Sequence, residues 1–213
     1  MLKQMESKFL LSAKSTVQFP PPLFFEIAFF GRSNVGKSSL LNVFTGTPKL
    51  ARVSSTPGCT REINFFMVDN KYYIVDLPGY GYAKYSKDEQ RQWAELIDEY
   101  MKMRAKSVFG IVIIDIRRGI TDLDEILFEM LSERGIHFGV VATKIDKLKK
   151  NELRSATLEL KASLESLGHK SEIVRFSAIT GDGKKELYNL VTKKCEEYRE
   201  RNARSVFVDG VER

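Results

Sequence analysis

Leu23-Phe-Phe-Glu-Ile-Ala-Phe-Phe-Gly-Arg-Ser-Asn-Val-Gly-Lys-Ser38 is the stretch that decides the fold. Its first eight residues, Leu23 to Phe30, form an almost unbroken apolar run that reads as a buried strand. Gly31-Arg32-Ser33-Asn34-Val35-Gly36-Lys37-Ser38 then matches the pattern G-x-x-x-x-G-K-[ST] without a mismatch. Leu40, Leu41 and Phe44 follow at helical spacing. A glycine loop between a strand and a helix is where backbone N–H groups can wrap phosphates. Lys37 would supply a point charge to the β- and γ-phosphates, Ser38 a hydroxyl to Mg²⁺, and the helix N-terminus its partial positive charge.

Downstream, strands and helices alternate. Ile63 to Val68 and Tyr72 to Val75 are β-rich runs joined through Asp69-Asn70-Lys71, which predicts an antiparallel hairpin. Ser86 with Glu89 and Asp122 with Glu125 are capping pairs that predict helix starts. Val108 to Ile114, Phe138 to Ala142 and Glu172 to Phe176 read as further strands, Glu152 to Leu167 and Gly183 to Arg201 as helices. The expected fold class is α/β, a mostly parallel six-stranded sheet with one antiparallel edge strand and helices on both faces. Residues 1–22, closed by Pro20-Pro21-Pro22, read as an N-terminal extension to one domain over 23–201, and 202–213 as a flexible tail.

Three more segments carry chemistry at strand ends. Asp76-Leu77-Pro78-Gly79 fits D-x-x-G, in which the carboxylate holds Mg²⁺ through water and the glycine N–H reads the γ-phosphate. Thr143-Lys144-Ile145-Asp146 decides the base. Guanine offers N1–H and N2 amino donors side by side, which one carboxylate accepts together, and adenine has no such pair. Asp146 therefore argues for GTP. Lys144 can lay its stem over the base and reach back toward the glycine loop, while Phe176-Ser177-Ala178 stands where a backbone N–H can meet the guanine O6. In the Ser, Thr, Pro and Gly stretch from Ala51 to Arg61, Thr60 is the candidate hydroxyl to complete the Mg²⁺ shell, with Thr56 its competitor.

Bulk properties fit this reading. The chain has 213 residues, 43% hydrophobic and 29% charged, with a net charge of +6 and no apolar run of membrane-spanning length. We expect a soluble cytoplasmic monomer. Cys59 and Cys195 are too few for a disulfide framework or zinc knuckle, and His137 and His169 lie outside the motifs. Basic clusters at Lys144 to Lys150, Lys184 to Lys194 and Arg199 to Arg204 suggest a polyanionic partner.

Taken in order, these motifs resemble those of the Ras-like GTPases, and Gly31 to Asn42, Ala51 to Gly58, Ile63 to Phe66 and Asp76-Leu-Pro-Gly-Tyr-Gly-Tyr-Ala-Lys84 resemble the EngB (YihA/YsxC) family of bacterial GTPases. The resemblance implies GTP hydrolysis and a role in assembling the large ribosomal subunit through its rRNA and ribosomal protein, with a consequent link to cell division. By position, Ser38 and Thr60 would ligate Mg²⁺. Phosphates would lie on Gly31 to Ser38, on Gly58, Cys59, Thr60, Arg61 and Glu62, and on Asp76 to Gly79. The base would lie on Thr143 to Asp146 and Phe176 to Ala178. Lys37, Thr60, Gly79 and Asn34 would serve hydrolysis, with Asn34 resembling a residue that holds K⁺ in related GTPases. Cys59 departs from the basic residue usual in the family. Thr143 replaces a common Asn and lacks the amide that could tie the base loop down. Tyr80 stands where Ras-like enzymes hold a water-orienting glutamine, so intrinsic turnover should be slow. A metabolic P-loop kinase fits Asp146 and Lys144 poorly. An adaptor that binds nucleotide but scarcely hydrolyses it stays open because of Tyr80.

Overall fold

A computed structural model describes residues 5–47, 50, 62–81 and 87–209, without the side chains of 87–90, 93 and 204–209. Its strands are β1 (Ser7–Ala13), β2 (Phe25–Gly31), β3 (Ile63–Val68), β4 (Tyr72–Asp76), β5 (Val108–Asp115), β6 (Phe138–Thr143) and β7 (Ile173–Arg175). Its helices are α1 (Lys37–Thr45), α2 (Lys87–Arg104), α3 (Asp122–Glu133), α4 (Lys150–Ser166) and α5 (Lys184–Asp209). The strands form one sheet in the order β1-β3-β4-β2-β5-β6-β7. Neighbours from β4 to β7 run parallel, and β3 is antiparallel to both β4 and β1.

The sheet therefore has seven strands where the sequence predicts six. The extra one comes from the N-terminal extension, where Phe9, Leu11 and Ala13 alternate and β1 pairs with β3 through an irregularity between Phe9 and Leu11. Leu10 interrupts that alternation and hides the strand. The hairpin forms as expected. Asp69 and Asn70 take positive φ of 50° and 51°, and the Lys71 N–H donates to the Val68 carbonyl at 2.9 Å. Helix α5 continues beyond Arg201, its expected end.

Both faces of the sheet are covered because the inner strands are apolar on both sides. All seven residues of β2 are buried. On one face Tyr100 and Met101 of α2, Phe128 and Leu131 of α3, and Leu160 and Leu164 of α4 pack together. On the other, Leu40, Leu41 and Phe44 of α1 meet Leu187, Leu190 and Val191 of α5. Burial of these apolar side chains is the main force holding the layers.

Glu26 is a fully buried charge in the central strand. The Tyr100 hydroxyl donates to it at 2.7 Å and the Arg104 Nε lies 3.3 Å away, while Arg104 also donates to the Pro20 carbonyl. Burial pushes the Glu26 carboxyl up to about 7 against the opposing pull of Tyr100 and Arg104. This cluster ties the start of β2, the end of α2 and the proline segment into one corner.

Candidate nucleotide site

Glycine loop, D-x-x-G segment, base loop and Ser177 segment all follow the carboxyl ends of parallel strands β2, β4, β6 and β7. That edge is where ligands bind in doubly wound sheets. The loops after β2 and β6, which lie on either side of β5, thus bring together residues 108 and 110 positions apart.

The loop from Gly31 to Gly36 bends through Asn34 at φ 65° and Gly36 at φ 103° into the first turn of α1. Lys37 is almost wholly buried, and its ammonium meets the Asp76 carboxylate at the end of β4. Ser38, partly exposed, follows it on α1. The D-x-x-G segment is laced to the loop. The Ser33 N–H donates to the Tyr80 carbonyl at 2.9 Å and the Tyr80 N–H to the Gly31 carbonyl at 3.3 Å. A Cβ on Gly79 would stand 3.2 Å from both N and Oγ of Ser33, so a side chain there would have to push Ser33 back by a few tenths of an ångström. Leu77 is fully buried, and its N–H donates to the Phe29 carbonyl of β2 at 3.3 Å.

Tyr80 does not face the loop's mouth. Its ring is 9% exposed, and its hydroxyl donates to Asp124 Oδ1 at 2.7 Å. Burial, followed by the charge of Asp124, pushes that hydroxyl well above the usual tyrosine range and keeps it a donor. Asp124 is fully buried in the first turn of α3. Its Oδ2 accepts from the Thr121 N–H at 3.0 Å and the Thr121 hydroxyl at 2.7 Å, and lies 3.4 Å from Arg32 Nε. The helix start therefore sits on Thr121 and Asp124, one residue before the Asp122–Glu125 pair that the sequence suggests. Asp124 turns inward to serve buried partners, whereas Asp122 and Glu125 are exposed.

The base loop is fastened to the glycine loop. Thr143 Oγ lies 2.7 Å from the Val35 carbonyl and 3.2 Å from that of Ile114, so its hydroxyl ties down the loop that the missing amide was expected to leave looser. Lys144, at φ 62°, donates to the Asn34 carbonyl at 2.7 Å and pairs with Asp115 at 2.9 Å. Arg117 grips the same carboxylate through Nε at 2.9 Å and Nη2 at 2.7 Å. Burial alone would raise Asp115, but the bonds from Arg117 and Lys144 hold it well below the usual carboxylate range. Ile145 opens the short turn that carries Asp146.

Asp146 accepts a 2.7 Å hydrogen bond from the Ser177 hydroxyl, which keeps its carboxyl below the ordinary value. Ser177 Oγ also accepts from the N–H groups of Ile179 and Thr180, each at 3.2 Å. Phe176 is fully buried, anchoring the segment through its N–H to the Ala142 carbonyl at 2.8 Å, and Ala178 packs against the same core. Gly183 closes the turn, since a Cβ there would lie 1.8 Å from the Arg175 carbonyl oxygen.

Structure thus brings Gly31 to Ser38, Asp76 to Gly79, Thr143 to Asp146 and Phe176 to Ala178 to one edge. Glu62 pairs instead with Lys14 of the N-terminal segment at 3.2 Å. Gly58, Cys59, Thr60 and Arg61 lie outside the described residues, as do Thr56 and the capping Ser86. Sequence reasoning missed Asp115, Asp124 and the side-chain role of Ser177. For Asp115 the signal was an acid ending the apolar run of β5.

A family model described as a 50S ribosome-binding GTPase matches residues 26–144. A probable GTP-binding protein EngB of Clostridium kluyveri is 39% identical over 193 residues, 91% of this chain and 98% of that protein. Its counterpart in Aquifex aeolicus is 43% identical over 82% of this chain and 93% of its own. Among solved structures, a probable GTP-binding protein engB superposes with a TM-score of 0.62 at 26% identity over 81% of this chain and 99% of that one. Era in complex with MgGDPNP and nucleotides 1506–1542 of 16S ribosomal RNA gives a TM-score of 0.61 at 26% identity, over 80% of this chain and 56% of that one.

Tyr80→Phe deletes one donor to a fully buried carboxylate. It should lower the stability of the nucleotide-free chain by about 1–3 kcal/mol, read from urea unfolding. An unchanged unfolding midpoint would mean that the hydroxyl does not hold Asp124.

Proposed function

As this chain belongs to the EngB family of GTP-binding proteins, we propose that it is a GTP-hydrolysing switch that acts in assembly of the large ribosomal subunit, and through it in cell division. The observation that carries the GTP reading is Lys144. Its stem passes beside Gly36 and its ammonium reaches the Asn34 carbonyl, so the loop bearing Asp146 and the loop bearing Lys37 form one cradle. A guanine donor pair on Asp146 then fixes where the phosphates fall along the glycine loop. Lys37 turns from Asp76 to the β- and γ-phosphates, exchanging one anionic partner for another.

The donors near Lys37 suit Mg²⁺. They are the Ser38 hydroxyl and the Asp76 carboxylate, oxygens rather than nitrogen or sulfur. Ser38 and Thr60 would hold the ion, with Asp76 acting through water. When bound, Mg²⁺ neutralises charge on the transferring phosphoryl group. Gly79 N–H reads the γ-phosphate, and its departure on hydrolysis releases the segment that Tyr80 begins. The chain works as a cytoplasmic monomer in this reading. Among the described residues no helix is long and apolar enough to cross a membrane.

With its side chain committed to Asp124, Tyr80 offers no amide to place water, which supports slow intrinsic turnover. The same feature favours a second reading, an adaptor that binds nucleotide with little hydrolysis. Phosphate release stimulated by large subunits separates the two. The switch itself predicts tighter association with large ribosomal subunits in the GTP-analogue state than with GDP, measured by co-sedimentation. Equal sedimentation in both states would contradict it.

The γ-phosphoryl transition state still needs positive charge along the bond to the leaving β-phosphate. K⁺ held by the exposed Asn34 could supply it. Steady-state phosphate release should then be faster in potassium than in sodium at equal ionic strength. Asn34→Ala should erase the difference while leaving GDP affinity nearly intact. Equal wild-type rates in the two salts would remove the ion from the mechanism.

A further inference from the structure

At the opposite pole from the nucleotide lies an open groove of about 590 Å³. Phe25 begins β2, Val108 begins β5 and His137 precedes β6, so the groove sits at the amino ends of three adjacent strands. The eight residues of β5 put it about 25 Å from the loops that bind phosphate and base.

Its rim is basic. Lys106, Arg134, Lys194 and Arg201 line it, with Glu197 as the one acid. Two of these cations are committed. Arg134 pairs with Asp98, and Lys194 lies 3.1 Å from Glu197 while its ammonium stands 5.3 Å over the Phe109 ring. Lys106 and Arg201 are exposed and have no carboxylate within ion-pair distance among the described residues. Arg201 is held in place all the same, since its Nε donates to the Glu197 carbonyl at 3.3 Å. Some of the basic residues prominent in the sequence are engaged elsewhere. Lys144 and Lys147 face Asp115 and Asp146, and Lys193 faces Glu172. Lys149, Lys150, Lys184, Lys185 and Arg199 also lack a carboxylate within ion-pair distance among the described residues but do not line this groove.

The floor decides the class of partner. Phe25, Val108 and Phe109 are each less than a tenth exposed, so a peptide would find no open apolar anchor there. A chain of phosphates needs none, and is drawn to uncompensated cations by counterion release. We propose that this groove docks the phosphodiester backbone of ribosomal RNA. Part of the subunit's hold on the chain is thereby independent of the nucleotide, and the switch at the far pole adds to it. The identity of the RNA rests on the ribosome-binding reading above.

The test uses the full chain loaded with GDP, and protein-free RNA from the large subunit as the probe. Lys106→Ala with Arg201→Ala should weaken binding at least fivefold. It should also make the slope of log affinity against log salt shallower by about 1.5, as ~0.7–0.9 per lost phosphate contact requires. GDP affinity should not change, which checks the fold. The GTP-analogue to GDP ratio for intact subunits should also be preserved. Unchanged RNA affinity and salt slope in the double variant would overturn the proposal. So would a loss of binding to intact subunits with RNA binding unaffected, because the partner would then be an acidic ribosomal protein. If the wild type bound no subunits in either state, the proposed function would fail first. If it bound them and the variant did equally well, only the groove would fail.

Discussion

Pairing of opposite charges at the carboxyl edge of the sheet is the constraint on which the site depends. Five parallel strands end there, and they deliver polar groups into a partly desolvated space where an unpaired charge would be costly. Lys37 meets Asp76, Lys144 and Arg117 share Asp115, Arg32 and Tyr80 share Asp124, and Asp146 rests on Ser177. These partners come from different loops, so satisfying the charges also fixes the loops relative to one another. The glycine loop in particular is held from two sides, by Tyr80 and by Lys144. In the proposed function a nucleotide would meet described loops already fastened to one another, and would exchange partners with Lys37.

Much of this was legible in the sequence because the residues are chemically unusual for their places. Gly36 and Lys37 after an apolar strand, and Asp146 after another, are hard to explain as packing. The strand-helix alternation was legible for the same reason, since strands buried on both faces read as continuous apolar runs. What escaped depends on partners far away in the chain. Tyr80 visibly lacked an amide, but its destination, Asp124, lies 44 positions on. Thr121 rather than Asp122 caps α3 because buried Asp124 needs donors, and burial is a property of the folded molecule. Strand β1 was hidden because Leu10, on an exposed edge, tolerates an apolar residue that breaks the alternation.

The topology also separates two demands. Nucleotide chemistry needs the carboxyl ends of the strands, where loops can close around phosphate. The amino ends carry Lys106 and Arg201 on the rim of a groove whose floor is buried rings. Helix α5 packs along β2, so the groove is built on the same rigid layers that hold the glycine loop. In the proposed function a surface there would bind at the far pole from the switch.

The central claim is that Asp146, held by Ser177 and carried on a loop fastened to the glycine loop, reads guanine. The direct measurement is competition between GTP and xanthosine triphosphate for the wild type and for Asp146→Asn. Xanthine has a carbonyl at C2 to which an amide can donate, so the account predicts that the wild type prefers GTP and the variant prefers xanthosine triphosphate. A variant that still prefers GTP would contradict it.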